Sequence, residues 1–461
     1  MQEQFGVNSE FYAYSGFFSV FLTFGMETGF FRFQKDSKEP EKVYSTALNF
    51  IIASSLSFFL LMFAFGHPIA DKLKYSDHVE YIYWFAITLT LDAISAIPFA
   101  KLRADNRPMV FASIKTIEIG VNIALNIFFL VFCRTAYIHN PGSFLASLYN
   151  PNLGVGYVFI INMVASSVKM VLLFPQLRGA VYGFSRTLFN QMIRYSLPMV
   201  IIGFSYIINE MLDRMILKYY LPYDNLTNLR LLGIYAACYR LSIIMSLFSQ
   251  AFRYAGEPFF FAHSGKENAK QLYADVTKYF VIFCVFVFLL VMLYLNWFQH
   301  FIGKSYRVGL AVVPILLMAN LCLGIYTNLS IWYKLTDRTL LGAAVSVGGA
   351  IITIVLNLVF IPKYGYMASA WATLACYGSI AIVSYILGQK YYPVDYDLKR
   401  IIGYILLGLV LWVGFEWILN YVLGETQLWW VVSTAFMAVY LIIVWIADGR
   451  QLLAKESSNQ P

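Results

Sequence analysis

Tyr279-Phe280-Val281-Ile282-Phe283-Cys284-Val285-Phe286-Val287-Phe288-Leu289-Leu290-Val291-Met292-Leu293 runs for fifteen residues without a charge or a proline. Extended to the window 275–297, it reaches the ~20 mostly apolar residues that a helix needs to cross a bilayer. Windows of this kind recur from end to end. Thirteen are readable, with cores at 10–31, 43–65, 79–100, 109–132, 153–176, 192–217, 231–252, 275–297, 308–333, 339–362, 365–389, 401–422 and 427–447. A closed barrel is the other way to satisfy a backbone in lipid, but it needs ~10-residue alternating segments, not unbroken apolar runs. The expected fold is therefore an all-α polytopic membrane protein. Composition agrees: 60% of the 461 residues are hydrophobic and 13% charged, against roughly 45–50% and about 25% in soluble proteins. An ordinary soluble enzyme is excluded, and no polar block is long enough to fold separately.

The net charge of +8 is a topology signal and not a nucleic-acid footprint, because Lys and Arg collect in short loops between apolar windows. Alternate loops hold 20 and 8 of the 33 basic residues. Cytoplasmic loops carry the excess, which places the C-terminus in the cytoplasm and, thirteen being odd, Met1 outside. No signal peptide precedes the first window, so a helix missing before Met1 is the expectation. The five cysteines show no CxxC pattern and read as small core residues. The five histidines read as loop residues with no HExxH pair, so no metal site or cofactor is expected.

The chain also repeats itself. Phe5-Gly6-Val7 followed by Phe11-Tyr12-Ala13-Tyr14 returns as Leu232-Gly233-Ile234 followed by Tyr235-Ala236-Ala237-Cys238-Tyr239, an offset of 227. Six spans separate the copies, an even number, so both cross in the same direction. A parallel repeat of this kind predicts two pseudo-symmetric helical lobes around a central cleft, an arrangement that secondary transporters use for alternating access.

Four further strings carry a family resemblance: Gly25-Met26-Glu27-Thr28-Gly29-Phe30-Phe31-Arg32-Phe33, Arg194-Tyr195-Ser196-Leu197-Pro198, Asp213-Arg214, and Gln250-Ala251-Phe252-Arg253-Tyr254-Ala255-Gly256-Glu257-Pro258-Phe259-Phe260-Phe261. They resemble the polysaccharide-biosynthesis flippases, O-antigen and capsule repeat-unit exporters of the multidrug/oligosaccharidyl-lipid/polysaccharide (MOP) superfamily, in a Bacteroidetes-like branch. The resemblance implies fourteen helices, two lobes of six plus two extra. This chain matches all but the first. It divides the sequence into an N-terminal lobe at 1–190, a C-terminal lobe at 191–395, two extra helices at 396–448 and a cytoplasmic tail at 449–461.

Among the ionisable residues inside the windows, nine stand out as candidates: Glu27, Asp92, Lys115, Glu118, Lys169, Glu210, Asp213, Arg214 and Arg240. At ~2.5–3.5 kcal/mol each they are too costly to face lipid and must pair or face water. Lys115 and Glu118 are three apart, and Glu210 and Arg214 four apart, so both can pair along a helix. The basic members, Lys115, Lys169, Arg214 and Arg240, are the candidates to receive a pyrophosphate, since guanidinium matches phosphate oxygens bidentately. Asp92, Glu118, Glu210 and Asp213 would brace the cleft or take up a coupling proton or sodium ion. Glu27, Arg32, Arg253 and Glu257 lie near the cytoplasmic ends of equivalent helices, as a cytoplasmic gate or as plain helix-end charges.

Gly303-Lys304-Ser305 matches the end of a P-loop, but Phe298 stands where the motif needs glycine. Energy is then expected from an ion gradient, the membrane potential or glycan assembly. The longest outer loop, about 133–152, offers only Arg134 and His139 as ionisable groups, which argues against an enzyme. The leading expectation is a flippase that carries a polyprenyl-pyrophosphate-linked oligosaccharide across the bacterial inner membrane, beside membrane lipids and glycan polymerase or ligase machinery. The alternatives are an ion-coupled drug or metabolite antiporter of the same fold and a lipid II flippase.

Overall fold

The computed structural model describes residues 2–35, 37–177, 183–263, 268–336, 338–419, 421 and 429–449. In chain order its helices are α1 (Gln2–Thr23), α2 (Met26–Lys35), α3 (Pro40–Ala64), α4 (Gly66–Lys72), α5 (Val79–Ala104), α6 (Pro108–Ile127), α7 (Arg134–His139), α8 (Phe144–Ser147), α9 (Gly156–Leu172) and α10 (Phe174–Leu177). They continue as α11 (Arg186–Tyr220), α12 (Asn225–His263), α13 (Ala269–Leu293), α14 (Leu295–Phe298), α15 (Val313–Leu329), α16 (Ile331–Leu335), α17 (Thr339–Tyr364), α18 (Tyr366–Tyr391), α19 (Leu398–Ile418) and α20 (Trp429–Val444). No strand occurs among the described residues.

Among the described residues, ten helical segments are long and apolar enough to cross a membrane, and a pair bent by 110°, Phe144–Leu153 with Gly156–Leu172, makes an eleventh if counted as one. The 22-residue α1 and the 35-residue α11 occupy the two remaining windows. Local chemistry sets many of the ends. Proline opens α3 and α6, where its missing N–H costs nothing. Asp397 caps α19 by accepting from the Arg400 N–H at 3.1 Å.

Three sequence readings are corrected. The window 10–31 is not one helix: Phe24 and Gly25 adopt φ of 47° and 61°, which ends α1 at Thr23 and starts the separate α2. Glu10 consequently lies well inside α1. The stretch 133–152 is not simply a loop, because α6 continues through a π-helical segment, Phe128–Cys133, into α7, which carries Arg134 and His139. Likewise His67 lies in α4, His263 ends α12, and His78 and His300 lie in 3₁₀ turns.

The chain forms two compact units, Glu3–Ile207 with Asp224–Leu229, and Ile208–Tyr223 with the described residues from Arg230 onward. In the first, Phe11 of α1 packs edge-on against Phe85 of α5 and Phe159 of α9, with ring centroids 5.2 and 4.8 Å apart. The outer side of α6 is different: Met109, Ile117, Ile119, Ile123 and Ile127 are all exposed, as a lipid-facing helix requires. In the second unit, Ala319, Trp332, Tyr333, Cys376, Tyr377 and Ile380 form a core among α15, α16 and α18. Four of the cysteines are buried and Cys322 is half-buried, matching their reading as core residues.

Candidate functional site

Buried charge organises each unit separately. In the first, α9 presents Lys169 to both neighbouring helices. Its Nζ lies 2.5 Å from Asp92 Oδ1 on α5 and 2.7 Å from Glu118 Oε1 on α6. Glu118 also accepts from Lys115 at 2.9 Å, the three-apart pair read from the sequence. One turn before Lys169, Ser166 donates to Asp92 at 2.6 Å. Lys169 is 3% exposed and Asp92 41%, so the lysine is the buried hub and Asp92 the open edge. Asp92 borders a cavity of about 60 Å³ that is also lined by Asn8, Tyr12, Ser15, Thr88 and Asn162. A row of amides continues from it: Asn122 donates to Asn162 at 2.7 Å, and Asn126 to Asn122 at 3.0 Å.

The second unit holds carboxylates by tyrosine. Tyr235 donates to Asp213 at 2.5 Å, and Tyr239 and Tyr377 donate to Glu210, each at 2.8 Å. The four-apart Glu210–Arg214 ion pair expected from the sequence is absent, because the two tyrosines from α12 and α18 occupy the carboxylate. The Arg214 guanidinium instead reaches the Glu210 backbone carbonyl at 3.4 Å and lies 4.7 Å from the Tyr239 ring centroid. Thr353 of α17 extends this network by donating to Asn209 at 3.1 Å. Arg240 sits on α12 with an exposed side chain.

Among the gate candidates, Glu27 pairs with Arg103 at the end of α5, within its own unit. The Arg103 guanidinium lies 5.2 Å from the Phe31 ring centroid. Arg32 and Arg253 are exposed on α2 and α12. The Glu257 side chain lies outside the described residues.

Sequence reading missed several buried charged groups. Glu10 is fully buried and accepts from Tyr14 at 2.6 Å and from Tyr75 at 2.5 Å; its four-residue spacing to Tyr14 was the available signal. Asp448 is 1% exposed and gathers Lys278 at 2.8 Å, Arg400 at 2.6 Å and the Tyr404 hydroxyl. No local spacing announces that cluster, since its members come from α13, α19 and the turn after α20. Two larger, almost wholly apolar grooves, of about 470 and 280 Å³, run along α17 and α18 and contain no charge.

No curated protein matches the chain in sequence. Solved structures share its fold. A lipid II flippase MurJ in an inward closed conformation aligns with TM-score 0.72 at 16% identity, covering 97% of this chain and 94% of that one. A multidrug resistance MATE family transporter of the MOP superfamily, inward-facing, aligns with TM-score 0.64 at 12% identity over 87% of this chain and 91% of that one. An outward-facing MATE structure aligns at 0.56 and 12%, covering 87% and 88%. The model of the family described as "Polysaccharide biosynthesis protein" matches residues 1–308, more than half of the chain. A membrane protein with the MOP transporter fold, this chain belongs to the polysaccharide biosynthesis protein family.

Proposed function

We propose that the protein is a flippase that moves a polyprenyl-pyrophosphate-linked oligosaccharide, such as an O-antigen, capsule or exopolysaccharide repeat unit, across the bacterial inner membrane. The observation that carries this reading is Arg214. Its side chain is nine-tenths buried, yet its one hydrogen bond among the described residues goes to a backbone carbonyl at 3.4 Å. A guanidinium has five N–H donors in a planar fork suited to phosphate oxygens, so most of that capacity is left for an anionic ligand. Lys115 and Lys169, with Arg240, are the other proposed headgroup contacts. Asp92, Glu118, Glu210 and Asp213 are proposed to brace the sites or to take up a coupling proton or sodium ion. Glu27, Arg32, Arg253 and Glu257 would form a cytoplasmic gate for alternating access, with the C-terminus in the cytoplasm and glycan polymerase or ligase machinery working alongside. The proposal contains no catalytic step.

The test is deletion in the source bacterium, with the leaflet of polyprenyl-linked glycans probed by a membrane-impermeant reagent. Completed repeat units should accumulate facing the cytoplasm, and surface glycan should disappear. Arg214→Ala and Lys115→Ala should each fail to restore export while reaching normal levels in the membrane. Normal export by both variants sinks the headgroup role. Unchanged glycan lipids with a build-up of small cationic compounds would transfer the assignment to a drug antiporter, and accumulation of the peptidoglycan precursor to a lipid II flippase.

A further inference from the structure

The network around Lys169 is already balanced. Its two cations, Lys115 and Lys169, meet two carboxylates, Asp92 and Glu118, and each lysine is spent on an internal partner. An anionic headgroup arriving at Lys169 would therefore meet two carboxylates within hydrogen-bond reach of the same nitrogen. Like charges so placed in a partly desolvated site oppose binding. For Lys169 to accept a phosphate oxygen, one carboxylate has to lose its charge or leave. The two are not equivalent: Glu118 is 16% exposed and held by both lysines, whereas Asp92 is 41% exposed and borders the polar cavity.

We infer that Asp92 is a charge-compensating switch: a proton taken up on its carboxylate from the cavity side frees Lys169, so the pyrophosphate headgroup loads together with one proton. This rests on the flippase reading above. The balance is simple. The proton adds to an Asp92 carboxylate oxygen, the ion pair to Lys169 Nζ is lost, the charge-assisted hydrogen bond passes to a phosphate oxygen, and no covalent bond to the ligand forms. Ser166 can stay hydrogen-bonded to the neutral acid, since a carboxyl group keeps an acceptor oxygen in both forms.

The groups facing Asp92 are few. Lys169 and Ser166 come from α9, Glu118 and Lys115 from α6 by way of Lys169, and Tyr12 from α1 across the cavity. α2 and α3 bring their charges to the far end of α5, where Glu27 pairs with Arg103 and Glu41 with Lys101. α4, which bears His67, Asp71 and Lys72, and the turn Ser76–His78, which bears Asp77 and His78, meet α5 near its start, where Gly66 lies against Tyr83 and His78 pairs with Glu80 at 2.9 Å. α10 has no titratable residue. The linkage is reciprocal: a headgroup whose binding brings a proton onto Asp92 must bind more tightly as protons become available.

The test uses the purified full chain in lipid nanodiscs and farnesyl pyrophosphate as the probe, with binding measured from pH 8.5 to 5.5. Wild type should bind more tightly on acidification and take up a proton from weakly buffered solution at the upper end of that range. Asp92→Asn should bind at pH 8.5 at least tenfold more tightly than wild type, with its pH dependence flattened and proton uptake lost. Glu118→Gln should also tighten binding but keep the acid dependence, because Asp92 is intact. If Asp92→Asn fails to accumulate, Glu118→Gln and the wild-type proton count still decide. Wild-type binding that Lys169→Met abolishes, but that neither pH nor Asp92→Asn alters, overturns the switch and leaves the flippase reading standing. Absence of binding in every protein at every pH overturns the pyrophosphate reading itself.

Discussion

A single side chain, Arg214, separates phosphate recognition from helix packing. If its task is only to stack on Tyr239, whose ring lies 4.7 Å away, then any cation in that place suffices. Phosphate capture through a planar fork has no such tolerance, because lysine supplies a point charge without the bidentate geometry. Arg214→Lys is therefore expected to keep normal membrane levels while export falls at least about tenfold, the effect of about 1.4 kcal/mol. Quantitative surface-glycan labelling checks this, and wild-type export would reduce Arg214 to a packing residue. At this scale the sequence spoke clearly only within one helix. Lys115 and Glu118 pair because they are three apart on α6. Glu210 and Arg214 also have a pairing distance, yet Tyr239 and Tyr377 arrive from other helices and take the carboxylate. Spacing gives the opportunity for a pair, and the competitors come from tertiary structure that no local pattern encodes.

The helices show the same division between local signals and imported ones. Apolar length located the ten helices that are long and apolar enough to span among the described residues, because the bilayer sets that length whatever the packing. Breaks were harder to read, since a glycine in an apolar run either continues the helix or ends it. Gly25 ends α1 with φ 61°, and Gly365, also at φ 61°, makes the one-residue turn between α17 and α18. Gly348, inside α17, has an ordinary helical backbone and open space where a Cβ would stand. The two positions predict opposite outcomes for one substitution. Gly365→Ala meets nothing closer than Leu221 at 3.9 Å, so its penalty is purely conformational, about 1–3 kcal/mol for a Cβ-bearing residue at φ 61° and ψ −146°. Gly348→Ala should stabilise by roughly 0.5–1 kcal/mol by removing unfolded-state freedom. Thermal unfolding of the two variants in detergent, with midpoints moving in opposite directions from wild type, checks both.

For the whole molecule, family and fold class were legible because membrane topology and motif strings are written along the chain. How the last two helices attach was not, since it depends on residues far apart in sequence. Val285 of α13 occupies the space beside Gly408 of α19, and Tyr440 and Ser433 of α20 donate to backbone carbonyls of α13, both at 2.7 Å. Asp448 then closes this three-helix group with Lys278, Arg400 and Tyr404. The partners of Asp448 differ in what they can do without it. Arg400 is 36% exposed and already reaches Asp397 at 3.2 Å, so it can turn outward. Lys278 is 8% exposed, and its remaining carboxylate, Asp275, is 4.0 Å away. Asp448→Leu should thus cost about 3–5 kcal/mol, the usual result of leaving one buried ion without its partner. Lys278→Met combined with Asp448→Leu should recover most of that loss, because apolar replacement of both partners removes the uncompensated charge. The check is a double-mutant cycle on thermal midpoints of the purified chain. A double variant no more stable than Asp448→Leu would mean that Tyr404 and Arg400, not Lys278, are the partners through which Asp448 holds α19 and α20 to α13.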